Sequence, residues 1–167
     1  LAGIDKEFDD QAEIEKMQTN EWRLKSGRLD SLKLYHFTSA NHVQGCLRDG
    51  ITLGMIPVLQ DGKIGVIPGW QWLTVNPSFQ QVWANTEFTI LPYDRTAFRL
   101  TVIIPKTAQK QLFRWLDICN KFPIDRHLNA YGDPENWYVF RGRIKAGWIR
   151  KVDLKNGENG RQAMQNM

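Results

Sequence analysis

At 167 residues the chain is long enough for one domain with a substantial core and short for two. Its 42% hydrophobic and 24% charged residues exclude wholesale disorder and a fibrous repeat. No apolar run approaches the ~20 residues of a membrane helix, so no spanning segment is expected. The net charge of +4 is unevenly spread: residues 1–20 hold two lysines against six acids, a net −4, which leaves twenty basic and twelve acidic residues, +8, in residues 21–167. A body this basic attracts polyanions, nucleotides and nucleic acid among them.

Asp5, Glu7, Asp9 and Asp10 stand where a secretory signal needs a basic start and an apolar stretch. With only Cys46 and Cys119 a disulfide scaffold is excluded, and a reducing compartment, the cytoplasm, is the expectation. Residues 4–17, with Ile4, Phe8, Ile14 and Met17 among acidic neighbours, read as a helix within an acidic arm over residues 1–24. The opposite signs of arm and body lead to the further expectation that residues 1–20 cover a basic cleft. A single domain follows over residues 25–155, and a polar, glycine-containing tail over 156–167.

Within that domain Leu32 to Phe37 reads as a strand, followed by a short helix carrying Val43 and Leu47 and stopped by Gly50. The glycines and prolines from Gly54 to Gly69 suggest a surface loop. Trp70 to Val75 reads as a strand, Pro77 as the start of a helix through Trp83, and Thr96 to Ile104 as an alternating strand closed by Pro105. Leu112, Trp115, Leu116 and Cys119, at i, i+3, i+4 and i+7, predict an amphipathic helix over 108–119. A turn at Tyr131 to Pro134, a strand from Trp137 to Arg141 and a last strand from Trp148 to Leu154 complete an α+β domain.

Phosphate-loop, dinucleotide-fold, nucleophile-elbow and zinc-protease signatures are all absent. The spacing of His36, His42, Cys46 and Cys119 suits no metal site, and no metal is expected. Trp70 and Trp72 share a strand face, so one or both can offer a stacking surface to a base or nicotinamide ring. The most suggestive pairing is a strand histidine, His36, followed by Thr38 and Ser39, with an acid, Glu135, at the start of a later strand. A histidine and a carboxylate on neighbouring strand ends can grip the hydroxyls of a ribose.

Leu34-Tyr35-His36-Phe37-Thr38-Ser39 with the helix to Asp49-Gly50-Ile51 resembles the opening of ADP-ribosyltransferase-like domains. Trp72-Leu73-Thr74-Val75-Asn76-Pro77 is similar to their second motif, with Trp70-Gln71-Trp72 in place of a more polar start. Glu135 to Phe140, followed by Gly142, Ile144 and Ile149, is similar to their closing pattern of an acid, a strand, a glycine turn and a last strand. The resemblance spans residues 32–154 and implies a split, strongly bent, mostly antiparallel β core with two or three flanking helices. It further implies that NAD is bound as a substrate without a metal and that ADP-ribose passes to a protein or nucleic-acid acceptor.

In that reading His36 holds the adenosine-side ribose, Thr38 sits where backbone and hydroxyl meet the nicotinamide half, Trp72 and Thr74 line the pocket, and Tyr35 is a further cofactor contact. Glu135 binds the nicotinamide ribose and stabilises the cationic transition state as nicotinamide leaves. Arg99 and Arg141, both in strands, are the candidates for the pyrophosphate. RNA 2′-phosphotransferases share the fold, and for them Arg95 or Arg99 suits a phosphate contact. Two alternatives stand beside the transferase: a non-catalytic module binding nucleotides or nucleic acid, and an RNA-processing enzyme using His36 and His127 as acid and base.

Overall fold

The computed structural model describes residues 32–85 and 93–155. The acidic arm, the proposed cover formed by residues 1–20, and the tail from residue 156 lie outside the described residues. Among the described residues eight strands form in chain order: β1 (Leu34–Thr38), β2 (Met55–Gln60), β3 (Lys63–Pro68), β4 (Trp70–Thr74), β5 (Phe98–Val102), β6 (Leu112–Arg114), β7 (Trp137–Arg141) and β8 (Ile149–Leu154). Two seven-residue helices, α1 (Val43–Asp49) and α2 (Trp115–Lys121), accompany them among the described residues, whose remaining helical turns are of the tighter 3-10 type.

Six strands pair in the order β6-β7-β4-β1-β5-β8, every neighbouring pair antiparallel. The architecture is therefore α+β with an antiparallel sheet and few helices. Within it β4 and β7 share five residue pairs, from Trp70 with Arg141 to Thr74 with Trp137, and β1 and β5 share five, from Leu34 with Val102 to Thr38 with Phe98. The central strands β1 and β4 share one, Tyr35 with Thr74. The sheet is thus two three-stranded halves, β6-β7-β4 and β1-β5-β8, that part along their common seam.

Period-two alternation sends side chains to opposite faces, and each face has its own core. Trp137 and Val139 of β7 join Trp70, Phe113, Trp115 and Ile118 on one side, while Tyr138 and Phe140 join Leu34, Leu73, Leu100 and Val102 on the other. Burying a side chain the size of Phe140 or Leu100, both fully enclosed, is worth about 2 kcal/mol each. Both faces being covered explains why β7 reads as an almost continuous apolar run.

Several expected elements take a different form. Residues 54–69 are not a loop but the β2–β3 hairpin, turning at Asp61-Gly62 with φ of 52° and 75°. Positive φ at both central residues is what a two-residue hairpin turn of matching twist requires. Ile56, Val58 and Ile67 face the core, and β2 gains a second partner segment through Leu59 N–H to Pro123 O at 2.8 Å. The helix expected over 108–119 divides: Lys106–Gln111 is a 3-10 turn, Leu112–Arg114 is edge strand β6, and α2 begins only at Trp115. Leu112 and Phe113 are thereby both buried, in different cores, whereas one helix would have turned Phe113 away from the stripe.

The helix expected from Pro77 is likewise replaced. Asn76 and Ser78 side chains accept from the backbone N–H of Ser78 and Gln80, and a 3-10 turn forms only at Val82–Asn85. Such local side-chain bonds compete with helix formation. At the other side of the molecule α1 stops at Gly50, whose φ is +88°. A β-carbon there would collide with the carbonyl oxygen of Ile144, so glycine is what allows Ile51 and Ile144 to exchange backbone bonds of 2.9 and 3.1 Å.

Candidate functional site

Where β1 and β4 part, a cleft of about 570 Å³ opens. Its walls come from β1 and the following Ser39, from α1 and the segment 50–55, from β4, and from Trp83, Tyr93, Arg95, Leu128 and Trp137. The seam in the sheet and the site are therefore one feature. Tyr35, His36, Thr38, Trp72 and Thr74, all picked out by sequence, line it together.

His36 spans the seam. Its Nδ1 lies 2.8 Å from the carbonyl oxygen of Trp72, and because a carbonyl only accepts, Nδ1 carries the hydrogen. Burial lowers the pKa of the imidazole, the Trp72 bond raises it in part, and the positive charge of Arg95 lowers it further, so the net direction is down. The ring is held neutral with Nε2 as an acceptor, the state that receives a hydrogen bond from a hydroxyl.

Arg95 brings a partly buried positive charge to the cleft. Its guanidinium sits 4.9 Å from the ring centroid of Trp83, and burial pushes its pKa down. Among the described residues no carboxylate pairs with it. A desolvated, permanently charged fork with no counter-ion among the described residues suits an anionic ligand with oxygen acceptors. Sequence singled out Arg95 only as an alternative phosphate contact, because it lies in a turn before β5 with no pattern around it.

The two tryptophans of β4 separate. Trp70 is 1% exposed and belongs to the core, while Trp72 lines the cleft. The Trp72 indole N–H donates to Met55 O at 2.8 Å, and its ring centroid stands 4.5 Å from that of Trp115 and 5.8 Å from that of Trp137. Its polar atom is used within the fold, so it can offer a ligand only ring surface. Thr38 and Ser39 are buried hydroxyls, Thr38 bonding to the Cys46 thiol, whose pKa burial raises. Ser39 Oγ lies 2.7 Å from His42 Nδ1, and the His42 ring meets Tyr93 edge-on at 5.7 Å. His42, Trp83 and Tyr93 were not distinguished as site residues by any sequence pattern.

The remaining candidates lie elsewhere. Arg99 bonds to Pro77 O at 2.7 Å and to Asp153 at 3.1 Å, with its guanidinium 4.7 Å from the Phe79 ring centroid. Arg141 pairs with Trp70, at the end of β4 away from Thr74. Neither lines the cleft. Glu135 is exposed on the 3-10 turn Pro134–Asn136 just before β7, outside the lining residues. The His127 ring meets that of Tyr131 at 5.4 Å, tilted by 58°, and is also outside the lining.

The turn bearing Glu135 is anchored by its neighbour Asp133. One carboxylate oxygen accepts from the amides of Asn76 and Asn136, each at 2.9 Å, and the other from the Trp137 indole at 3.1 Å. Burial raises the Asp133 pKa, but these bonds and a backbone N–H together outweigh it and draw the pKa down. Val75 N–H donates to Asn136 O at 3.1 Å, fixing the turn at the Thr74 end of β4, the end that meets the cleft. No group of three His, Cys, Asp or Glu side chains among the described residues is placed to hold a metal. No helix among them is long and apolar enough to cross a membrane.

Comparison of the chain with family models, with curated proteins and with solved structures gives no significant match.

Proposed function

We propose that the chain binds NAD in the seam cleft, releases nicotinamide, and transfers ADP-ribose to a protein or nucleic-acid acceptor. The observation that carries this reading is the meeting, in one aromatic cleft, of neutral His36 with Arg95, which has no carboxylate partner among the described residues. A dinucleotide needs both: an acceptor for a ribose hydroxyl and a cation for the pyrophosphate. The sequence motifs similar to those of ADP-ribosyltransferase-like domains supply the reaction, and the split pairing of β1 with β4 is consistent with the split core that those motifs imply.

Nicotinamide carries its positive charge before the bond breaks, so departure needs stabilisation of the sugar cation more than a strong acid. Glu135, on the turn fixed beside Thr74, is the carboxylate assigned that role. Trp72, Thr38 and Thr74 hold the nicotinamide half, and His36 the opposite ribose. Arg95 replaces Arg99 and Arg141 as the pyrophosphate contact, since both of the latter lie away from the lining.

A second reading is a binding module without turnover. The observation favouring it is that Asp49, the one carboxylate among the described lining residues, is ion-paired to Arg48 at 2.9 Å. Release of nicotinamide from NAD separates the two. The transferase reading expects release in the unaltered protein and its loss in Glu135→Gln and His36→Ala, by about 100-fold for a group stabilising the transition state. Binding of NAD with no release leaves the module.

A further inference from the structure

Transfer produces a proton as well as nicotinamide. When an alcohol, amine or water attacks C1′ of the ribose, the C1′–N bond breaks with its electron pair passing to the nicotinamide ring. The new bond forms at C1′, and the attacking atom must lose its hydrogen. This inference rests on the NAD-cleaving reading above and asks which group of the cleft receives that hydrogen.

Few described side chains of the lining are able to. The carboxylate of Asp49 is held below the usual range by hydrogen bonds from Arg48, with burial opposing only in part, and is a weak base. The Cys46 thiol is pushed up by burial and keeps its proton. The Nδ1 hydrogen of His36 is committed to Trp72 O, and a second proton on that ring is opposed by burial and by Arg95. Arg48 and Arg95 are donors only.

His42 differs from all of these. It follows β1, lines the cleft, and is exposed, so a proton taken from the cleft can pass to solvent. Its ring is held on one side by Ser39 Oγ at 2.7 Å and bounded by the edge-on ring of Tyr93. Ser39 is itself 2% exposed, and its carbonyl oxygen accepts from the backbone N–H of His42 and Val43 at 3.1 and 3.0 Å, which fixes the turn. With Nδ1 turned to Ser39, Nε2 is the nitrogen with no hydrogen-bond partner among the described residues. When Nδ1–H donates to Ser39 Oγ, Nε2 bears the lone pair.

We propose that His42, oriented by Ser39, is the general base that takes the hydrogen of the attacking acceptor during ADP-ribose transfer. Ser39 is a positioning residue, acting through the imidazole. The proton leaves Nε2 for water after each turnover.

A nucleophile without a hydrogen to lose tests this. Nicotinamide release from NAD is measured in water alone and with added azide, for the unaltered chain, His42→Ala, His42→Gln and Ser39→Ala. His42→Gln keeps a polar partner for Ser39 but cannot accept a proton. General base catalysis contributes 10²–10⁴-fold, so both His42 variants are expected to fall about 100-fold or more in water. Azide is expected to bring them to within about tenfold of the unaltered chain, with ADP-ribosyl azide found by mass. Ser39→Ala is expected to fall less and to respond to azide in the same direction. Release by the His42 variants within about threefold of the unaltered chain, or a fall that azide does not lift, overturns the assignment of His42. Absence of release by the unaltered chain in both water and azide overturns instead the NAD-cleaving reading on which it rests.

Discussion

At the scale of single residues, His36 couples the site to stability. Its imidazole bridges the seam as a donor to Trp72 O and is held neutral by burial, with Arg95 adding to the effect. An unfolded histidine titrates near 6.5, so below that pH the unfolded chain binds a proton that the folded chain refuses. The folded-state pKa being lowered, stability is full above about pH 6.5 and falls as the pH drops toward the folded value. The melting temperature of the protein is therefore expected to drop between pH 7 and pH 5. In His36→Gln, which retains a donor for Trp72 O but does not titrate, the drop should be smaller. An equal drop in both proteins would show that the seam histidine carries none of it.

The elements show what a single sequence reveals and what it hides. β4, β7 and the short helix before Gly50 were legible because each carries its own signal: alternation, a continuous apolar run, a glycine stop. The hairpin was hidden by Pro57, Gly65 and Pro68, although Asp61-Gly62 was a readable turn signal. Helical spacing from Leu112 to Cys119 was real, but pairing of Leu112 to Arg114 with β7 overrode its first turn. For the site, residues on β1 and β4 were found because motif and strand coincide. Arg95 was found only as an alternative phosphate contact, and His42 and Tyr93 not at all, because they meet the cleft from turns, and only the tertiary fold brings turns together. Arg99 looked free for a phosphate because its partner Asp153 is 54 residues away.

The turn Pro134–Asn136 carries a prediction of its own at this scale. Asp133 satisfies three donors at once, from β4's end, from the turn and from the cleft-lining Trp137. Asp133→Asn places an amide hydrogen where donors converge and leaves at least one of them unsatisfied, a cost of about 1–3 kcal/mol. The same change loosens the position of Glu135 relative to Thr74. Denaturant unfolding should show the loss of stability, and nicotinamide release should fall more steeply than NAD affinity does. If stability is unchanged, the network is not what fixes the turn.

For the whole molecule, the decisive fact is that the two halves of the sheet share one central residue pair, together with a side chain reaching across. A ligand occupying the seam touches β1 on one side and β4 on the other, and so ties β1-β5-β8 to β6-β7-β4. Binding to the folded state alone adds about 2.7 kcal/mol at a concentration one hundred times the Kd. For a domain of this length each kcal/mol is worth roughly 2–4 °C. ADP-ribose, which has the pyrophosphate and both riboses but no nicotinamide bond to break, is therefore expected to raise the melting temperature by roughly 5–11 °C near saturation. Arg95→Ala removes the one desolvated cation of the described lining without a carboxylate partner and should abolish most of that shift, while Arg141→Ala, at the far end of β4, should keep it. A shift that survives Arg95→Ala would place the phosphates away from this arginine. No shift with the unaltered chain at millimolar ADP-ribose would remove the dinucleotide from the seam altogether.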